Sequence, residues 1–217
     1  MLRGRLAGLR QERNWRILGV VSATPNVGKS FVSASLAASM SRDPRFQTYL
    51  IDLDLRRGTL KNIFGIETAG GIRPFLDGED SQAELTAFRP AGEKLLVIPN
   101  VPGNIRSAEV LAGNRMTELM RAIRASSDQN YFLFDLPPVY ANDDATTIID
   151  QLDGYIFIAE EGKTTQQEVE SAVDLLGHEK LAGVVLNKYR GGLLAEGTGI
   201  EDRYASDYYA ADVDDEA

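Results

Sequence analysis

Six stretches of this 217-residue chain are apolar almost without interruption. They are "RILGVVSA" (16–23), "TYLIDLD" (48–54), "KLLVIPN" (94–100), "NYFLFDLPP" (130–138), "DGYIFIAEE" (153–161) and "KLAGVVLN" (180–187). A strand with one wet face alternates apolar and polar residues, whereas a strand covered on both faces need not. The six runs therefore predict strands of a sheet buried on both sides. Helical spacing lies between them, near 30–41, 108–127, 143–152 and 164–178. Strand and helix in alternation predict an α/β fold, a doubly wound and mostly parallel sheet flanked by helices.

After Tyr189 this pattern is lost. "RGGLLAEGTGIE" is rich in glycine and alanine, and the residues beyond it are acidic with few aliphatics. Such a segment buries too little apolar surface to offset the entropy of ordering it. The expected organisation is a folded domain over 1–190 and a flexible acidic tail over 191–217.

Charge sharpens the picture at the two ends. From Glu196 to Ala217 there are eight acids against Arg203 alone, out of a net −9 for the whole chain. Residues 1–16 carry Arg3, Arg5, Arg10, Arg13 and Arg16 against Glu12. Both ends are expected to be solvated or to meet other protein surfaces, and Trp15 is expected to anchor the leading segment on the domain. No basic stripe runs through the body, so nucleic acid is not an expected partner. There is no cysteine, which excludes disulfides and thiolate metal sites. No apolar run approaches the roughly 18 residues of a membrane span, and a cytoplasmic domain is expected.

The chemistry concentrates after the first strand. "ATPNVGKS" (23–30) fits G-x-x-x-x-G-K-[ST] with Ala23 in place of the first glycine. In such a loop, backbone N–H groups curl round phosphate oxygens at the amino end of a helix. Thr24, Pro25, Asn26, Val27, Gly28, Lys29, Ser30 and Phe31 are thus the candidate nucleotide-binding residues. Lys29 is expected to face the surface and contact only phosphate, and the Ser30 hydroxyl to ligate Mg²⁺. Two further strands end in carboxylates, Asp52 with Asp54 and then Asp135. Ligands of doubly wound sheets gather at the carboxyl ends of strands. Three carboxylates there, beside a GKS loop, predict a Mg²⁺–phosphate site.

These residues resemble those of the bacterial tyrosine kinases of capsule and exopolysaccharide synthesis, over almost the whole chain. The P-loop of the S-x-x-P-x-x-G-K-[ST] type is "SATPNVGKS", and the D-x-D-x-R motif is Asp52, Asp54 and Arg56. The strand-D-x-P-P motif is Asp135, Pro137 and Pro138, with further similarity in "AEVLAGNRM", "DDA" and "GVVLNK". Related ATPases that position division sites or partition plasmids carry a lysine where this chain has Thr24. The resemblance implies a P-loop NTPase fold, with ATP/ADP and Mg²⁺ as cofactors. It implies catalytic roles for Lys29, Asp52, Asp54 and Asp135: Ser30, Asp54 and Asp135 on the metal, and Asp52 receiving the tyrosine proton. Asn187 resembles the adenine contact.

Tyr204, Tyr208 and Tyr209, in "DRYASDYYAADVDDEA", resemble the family's autophosphorylated tyrosine cluster. The implied partner is the cytoplasmic end of a membrane polysaccharide co-polymerase, which would place the domain at the inner face of the membrane. The family's E-x-x-R-x-x-R oligomerisation motif is represented near Arg3 by a weakened or truncated version. Two alternatives stay open at this point, a P-loop ATPase without kinase activity and a nucleotide-binding pseudokinase.

Overall fold

The computed structural model describes residues 2–68, 70–78, 87–90, 94–103, 107–141 and 143–189. Met1–Asn187 forms one compact unit and Lys188–Ala217 a second. Every element below belongs to the first. The predicted tail over 191–217, with Tyr204, Tyr208 and Tyr209, lies outside the described residues.

In chain order the elements are α1 (Leu2–Arg13), β1 (Ile17–Ser22), α2 (Lys29–Ser41), β2 (Gln47–Asp52), α3 (Leu60–Ile63) and α4 (Ile72–Asp77). They continue with β3 (Leu95–Ile98), α5 (Ser107–Leu111), α6 (Asn114–Ala125), β4 (Asn130–Asp135), α7 (Asp144–Ile149), β5 (Gly154–Glu160), α8 (Gln166–Leu176) and β6 (Leu181–Asn187). All six predicted strands form, in one sheet of order β3-β2-β4-β1-β5-β6, and every pairing is parallel. The single helix expected over 108–127 is two helices, with Gly113 in an extended conformation between them.

The sheet divides the core in two. On one face α1, α2 and α3 cover Leu18, Val20, Leu50, Leu133, Ile156 and Ile158. On the other, α4 to α8 cover Val21, Ile51, Phe132, Phe134, Tyr155 and Phe157. Adjacent strand residues thus feed opposite cores, which is why these strands read as unbroken apolar runs. α2 presents small residues to the sheet, Ser33, Ala34 and Ala37, all buried, so its backbone can lie close. α6 buries Met116, Leu119, Met120 and Ile123, one stripe at helical spacing. At the head of α8, Thr165 and Glu168 form a capping box that satisfies two otherwise orphaned N–H groups.

α1 is not among the expected helices, and it changes the reading of the leading segment. Leu6 is buried, and Leu2, Leu9 and Trp15 pack round it on the α2 face. Arg5 donates from Nε to the Ala182 carbonyl, and Arg10 from Nη1 to that of Asn130 at 3.4 Å. Arg16 is buried and donates to the Ile123, Arg124 and Ser127 carbonyls. With Arg3 donating to the Ser39 carbonyl, four of the five leading arginines dock on the body of their own domain instead of facing solvent alone. Trp15 does anchor the segment: its ring occupies the space that any side chain at Gly154 would need.

Candidate active site

Parallel pairing and strand order decide what meets at the carboxyl end of the sheet. β4 lies between β1 and β2, so the loop after β1 and the ends of β2 and β4 are neighbours. In the β2–β4 register Asp52 stands directly opposite Asp135. Both carboxylates point to the α2 face, under the helix that the loop feeds.

The loop from Ala23 to Gly28 is held at several points. Ser22 Oγ donates to the Thr24 carbonyl at 2.9 Å, and the Tyr140 amide to that of Ala23 at 3.1 Å. Asn187, at the end of β6, donates from Nδ2 to the Val27 carbonyl at 2.8 Å. Its amide thus holds the loop, whereas the resemblance puts it on adenine. Gly28 has φ 87° and Asn26 φ 67°, both left-handed. Glycine enters that region freely and asparagine is among the few other residues that do, so Asn26 supplies this turn without a glycine.

Lys29 corrects an expectation. It does not face the surface: the residue is 6% exposed, and Nζ donates to Asp135 Oδ1 at 2.6 Å. Ser33, one turn further along α2, donates from Oγ to the same oxygen at 3.0 Å. Asp135 Oδ2 is buried with no hydrogen-bond partner. Asp52 is fully enclosed, its Oδ1 accepting from the Asp54 amide and its Oδ2 from the Leu60 amide, both at 3.1 Å. Burial, and then the charge of Asp135, push its carboxyl well above the usual range. Burial likewise raises Asp54.

A cavity of about 430 Å³ opens over these groups, bordered by Asn26, Lys29, Ser30, Asp54, Arg57 and Thr59 among others. Phe31, 65% exposed, and Ile63 line its rim, offering apolar surface beside a phosphate site. Asp54 borders this cavity and Asp52 does not, so the structure sets the predicted proton acceptor beneath the floor. Arg57 also borders it, donating to Asn26 Oδ1 at 2.9 Å, whereas its neighbour Arg56 turns away to Ser107 Oγ at 3.2 Å. Thr59 Oγ1 donates to Ser30 Oγ at 2.7 Å. Ser33, Arg57 and Thr59 were not singled out in the sequence. A serine four residues after the P-loop lysine was the available signal for the first, and proximity to D-x-D-x-R for the other two.

The donor set fits a divalent cation brought with a nucleotide. Three buried carboxylates face one ammonium, one carboxylate oxygen is unpartnered, and two carboxyls resist ionising; each favours an added positive charge. No group of three or more His, Cys, Asp or Glu side chains poised on one ion is found among the described residues. Mg²⁺ takes one or two carboxylates and fills its shell with water and phosphate oxygen. Ser30, Asp54 and Asp135 are the residues that would hold it.

A sequence profile of the CobQ/CobB/MinD/ParA nucleotide binding domain (CbiA) matches residues 18–209. Tyrosine-protein kinase YwqD of Bacillus subtilis (strain 168) is 30% identical over 179 residues, 81% of this chain and 73% of that protein. Tyrosine-protein kinase etk of Escherichia coli (strain K12) is 30% identical over 174 residues, which is 79% of this chain but only 23% of that longer relative. The solved kinase domain of the E. coli tyrosine kinase ETK has a TM-score of 0.74 at 27% identity, covering 88% of this chain and 77% of that one. MinD of Pyrococcus horikoshii, solved with Mg-ADP, shares the fold at a TM-score of 0.67 and 17% identity, over 82% of this chain and 72% of its own. With its P-loop, its two strand-end carboxylate motifs and its six parallel strands, the chain belongs to the bacterial tyrosine kinase family, within the CobQ/CobB/MinD/ParA nucleotide binding domains.

Proposed function

We propose that this domain is an ATP-dependent protein-tyrosine autokinase whose targets are Tyr204, Tyr208 and Tyr209, phosphorylated by a neighbouring copy. The reading carries with it the family's setting: regulation of exopolysaccharide or capsule polymerisation and export, at the inner face of the membrane, beside the cytoplasmic end of a co-polymerase. The observation that carries it is the gathering of Lys29, Ser30 and Asp54 on one cavity at the strand ends, with Asp135 buried behind it and paired to Lys29. Among the described residues no helix is long and apolar enough to cross a membrane.

Phosphoryl transfer asks for positioning and charge neutralisation more than for covalent chemistry. The phenol oxygen forms its bond to the γ-phosphorus, the bond to the ADP oxygen breaks, and the phenol proton passes to a carboxylate. A free tyrosine has a pKa near 10, so that carboxylate must stand close to the incoming hydroxyl. We assign this part to Asp54, which borders the cavity, and make Asp52 a positioning residue that holds Asp54 through its backbone N–H. Bound Mg²⁺ supplies charge neutralisation on the phosphates. Lys29 and the loop amides orient the phosphates, and Arg57 stands where a second cation can reach them.

The test mixes two preparations with Mg-ATP, one carrying Asp54→Asn with its tail intact, the other active but lacking residues 200–217. Phosphotyrosine on the Asp54→Asn tail, located by mass spectrometry, is the expected result. Hydrolysis of ATP without phosphotyrosine would replace the kinase by an ATPase. Binding without hydrolysis would leave a pseudokinase.

A further inference from the structure

Another cavity among the described residues lies away from the P-loop. It has a volume of about 660 Å³ and lies between α1, the carboxyl end of α2 and the starts of β2 and β4. α2 runs from one site to the other, so its 13 residues separate them by roughly 20 Å.

This groove has an uncommon lining for a chain of net charge −9. Arg3, Arg10, Arg42 and Arg45 surround it, against the single Asp43. Arg45 is already matched: it grips Asp43 through two bonds of 2.9 and 2.6 Å, holding that carboxyl down at about 2. Arg3 reaches only a carbonyl, Ser39 O at 3.3 Å, and Arg42 has no side-chain partner among the described residues. Beneath this cationic rim the floor is apolar and aromatic. Leu6, Met40 and Tyr131 are buried there beside Phe46, and the Arg10 guanidinium lies 4.3 Å over the Tyr131 ring and 4.7 Å over that of Phe46.

We propose that this groove binds phosphotyrosine within an acidic peptide segment supplied by another molecule, a second site distinct from the nucleotide pocket. The ligand must match both halves of the lining. Inorganic phosphate offers charge without a body for the aromatic floor, and an anionic membrane offers a flat array of charge to a concave site. Phosphotyrosine carries a ring for the floor and close to two negative charges for the rim guanidiniums. Acidic neighbours in the peptide extend the match to Arg3 and Arg42. The chain's own sequence "DRYASDYYAADVDDEA" has this chemistry. The inference rests on the kinase reading for its supply of phosphotyrosine. Capture of a modified segment here would hold product away from the active site and link copies according to their phosphorylation.

The probe is a fluorescent synthetic peptide with the sequence of residues 201–217, phosphorylated on Tyr204, Tyr208 and Tyr209. It is titrated by polarisation against phosphatase-treated full-length protein. Binding should weaken by roughly tenfold or more on Arg42→Glu, the size expected for losing a charge-assisted contact. It should weaken similarly for the unphosphorylated peptide, fall with added salt, and persist in saturating Mg-ADP. Arg42 is exposed and caps α2 only through its backbone N–H, so this variant retains the fold. Equal binding by Arg42→Glu, displacement by Mg-ADP, or binding to phosphatidylglycerol vesicles without binding to the peptide would each overturn the proposal. Because the peptide is synthetic, these outcomes are independent of whether the chain phosphorylates tyrosine.

Discussion

Replacing the P-loop lysine is the obvious way to silence this domain, and the structure predicts that Lys29→Met does more than that. Lys29 Nζ and Asp135 Oδ1 are 2.6 Å apart, with side chains only 7% and 0% exposed. Removing the ammonium leaves Asp135 with the Ser33 hydroxyl as its remaining donor, one oxygen unpartnered, and Asp52 in register beside it. Breaking a buried pair from one side costs about 3–5 kcal/mol, a large share of the roughly 5–15 kcal/mol that holds a domain together. Urea unfolding followed by circular dichroism, without nucleotide at pH 7, should show that loss. Asp135→Asn added to Lys29→Met removes the stranded charge and should recover part of it, with a coupling of about 1–3 kcal/mol in the four-variant cycle. A Lys29→Met protein within about 0.5 kcal/mol of wild type, or a cycle without coupling, would refute the reasoning. A silent Lys29→Met variant is therefore informative about chemistry only once its folded fraction is known.

Asp52 and Asp54 have raised carboxyls, so the nucleotide-free domain should lose stability as pH rises from the ordinary Asp value toward their folded values. Asp52→Asn should flatten that decline in the same unfolding assay; a profile as steep as wild type would contradict it. Asn187→Ala frees the Val27 carbonyl and should weaken nucleotide binding several-fold while costing only about 1 kcal/mol of stability, and unchanged affinity in calorimetry would remove the loop-holding role. Leu6→Ala should cost about 2–5 kcal/mol, since Leu6 is buried under α2; a loss below that range would show that α1 is only loosely attached.

What could be read from the sequence follows from how each feature is encoded. A strand buried on both faces writes itself as an apolar run, so "YFLFD" and "YIFIAE" were legible without knowing their neighbours. The P-loop was legible because it is local, a few residues between one strand and one helix. α1 was harder to read: Gly4 and Gly8 weaken its helix propensity, and its helical spacing is carried by three leucines alone, Leu2, Leu6 and Leu9. A helix this short is marginal by itself and depends on those leucines finding the α2 face.

The same division runs through the candidate site. That a lysine and three aspartates would share one end of the sheet follows from motif and strand order. Which of them faces the cavity depends on register. Asp52 is the last residue of β2, paired across to Asp135, and so belongs to the enclosed end of the sheet. Asp54 lies two residues further on, beyond the last strand pairing, and is free to border the cavity. Lys29 begins α2 directly above β4, which sets its ammonium on Asp135, 106 positions away in the chain. A single ammonium cannot satisfy both Asp135 and an incoming phosphate equally. The ligand-free pairing therefore stabilises the site at the cost of phosphate affinity, and nucleotide must bring a cation to replace what Asp135 loses. Mg²⁺ and nucleotide then bind more tightly together than either does alone, and the coupling should weaken in Asp135→Asn, where the carboxylate that Lys29 leaves behind is gone. Calorimetric titration of ADP with and without Mg²⁺ on both proteins measures it. An equal Mg²⁺ dependence in the two would break the link between the buried pair and the cation.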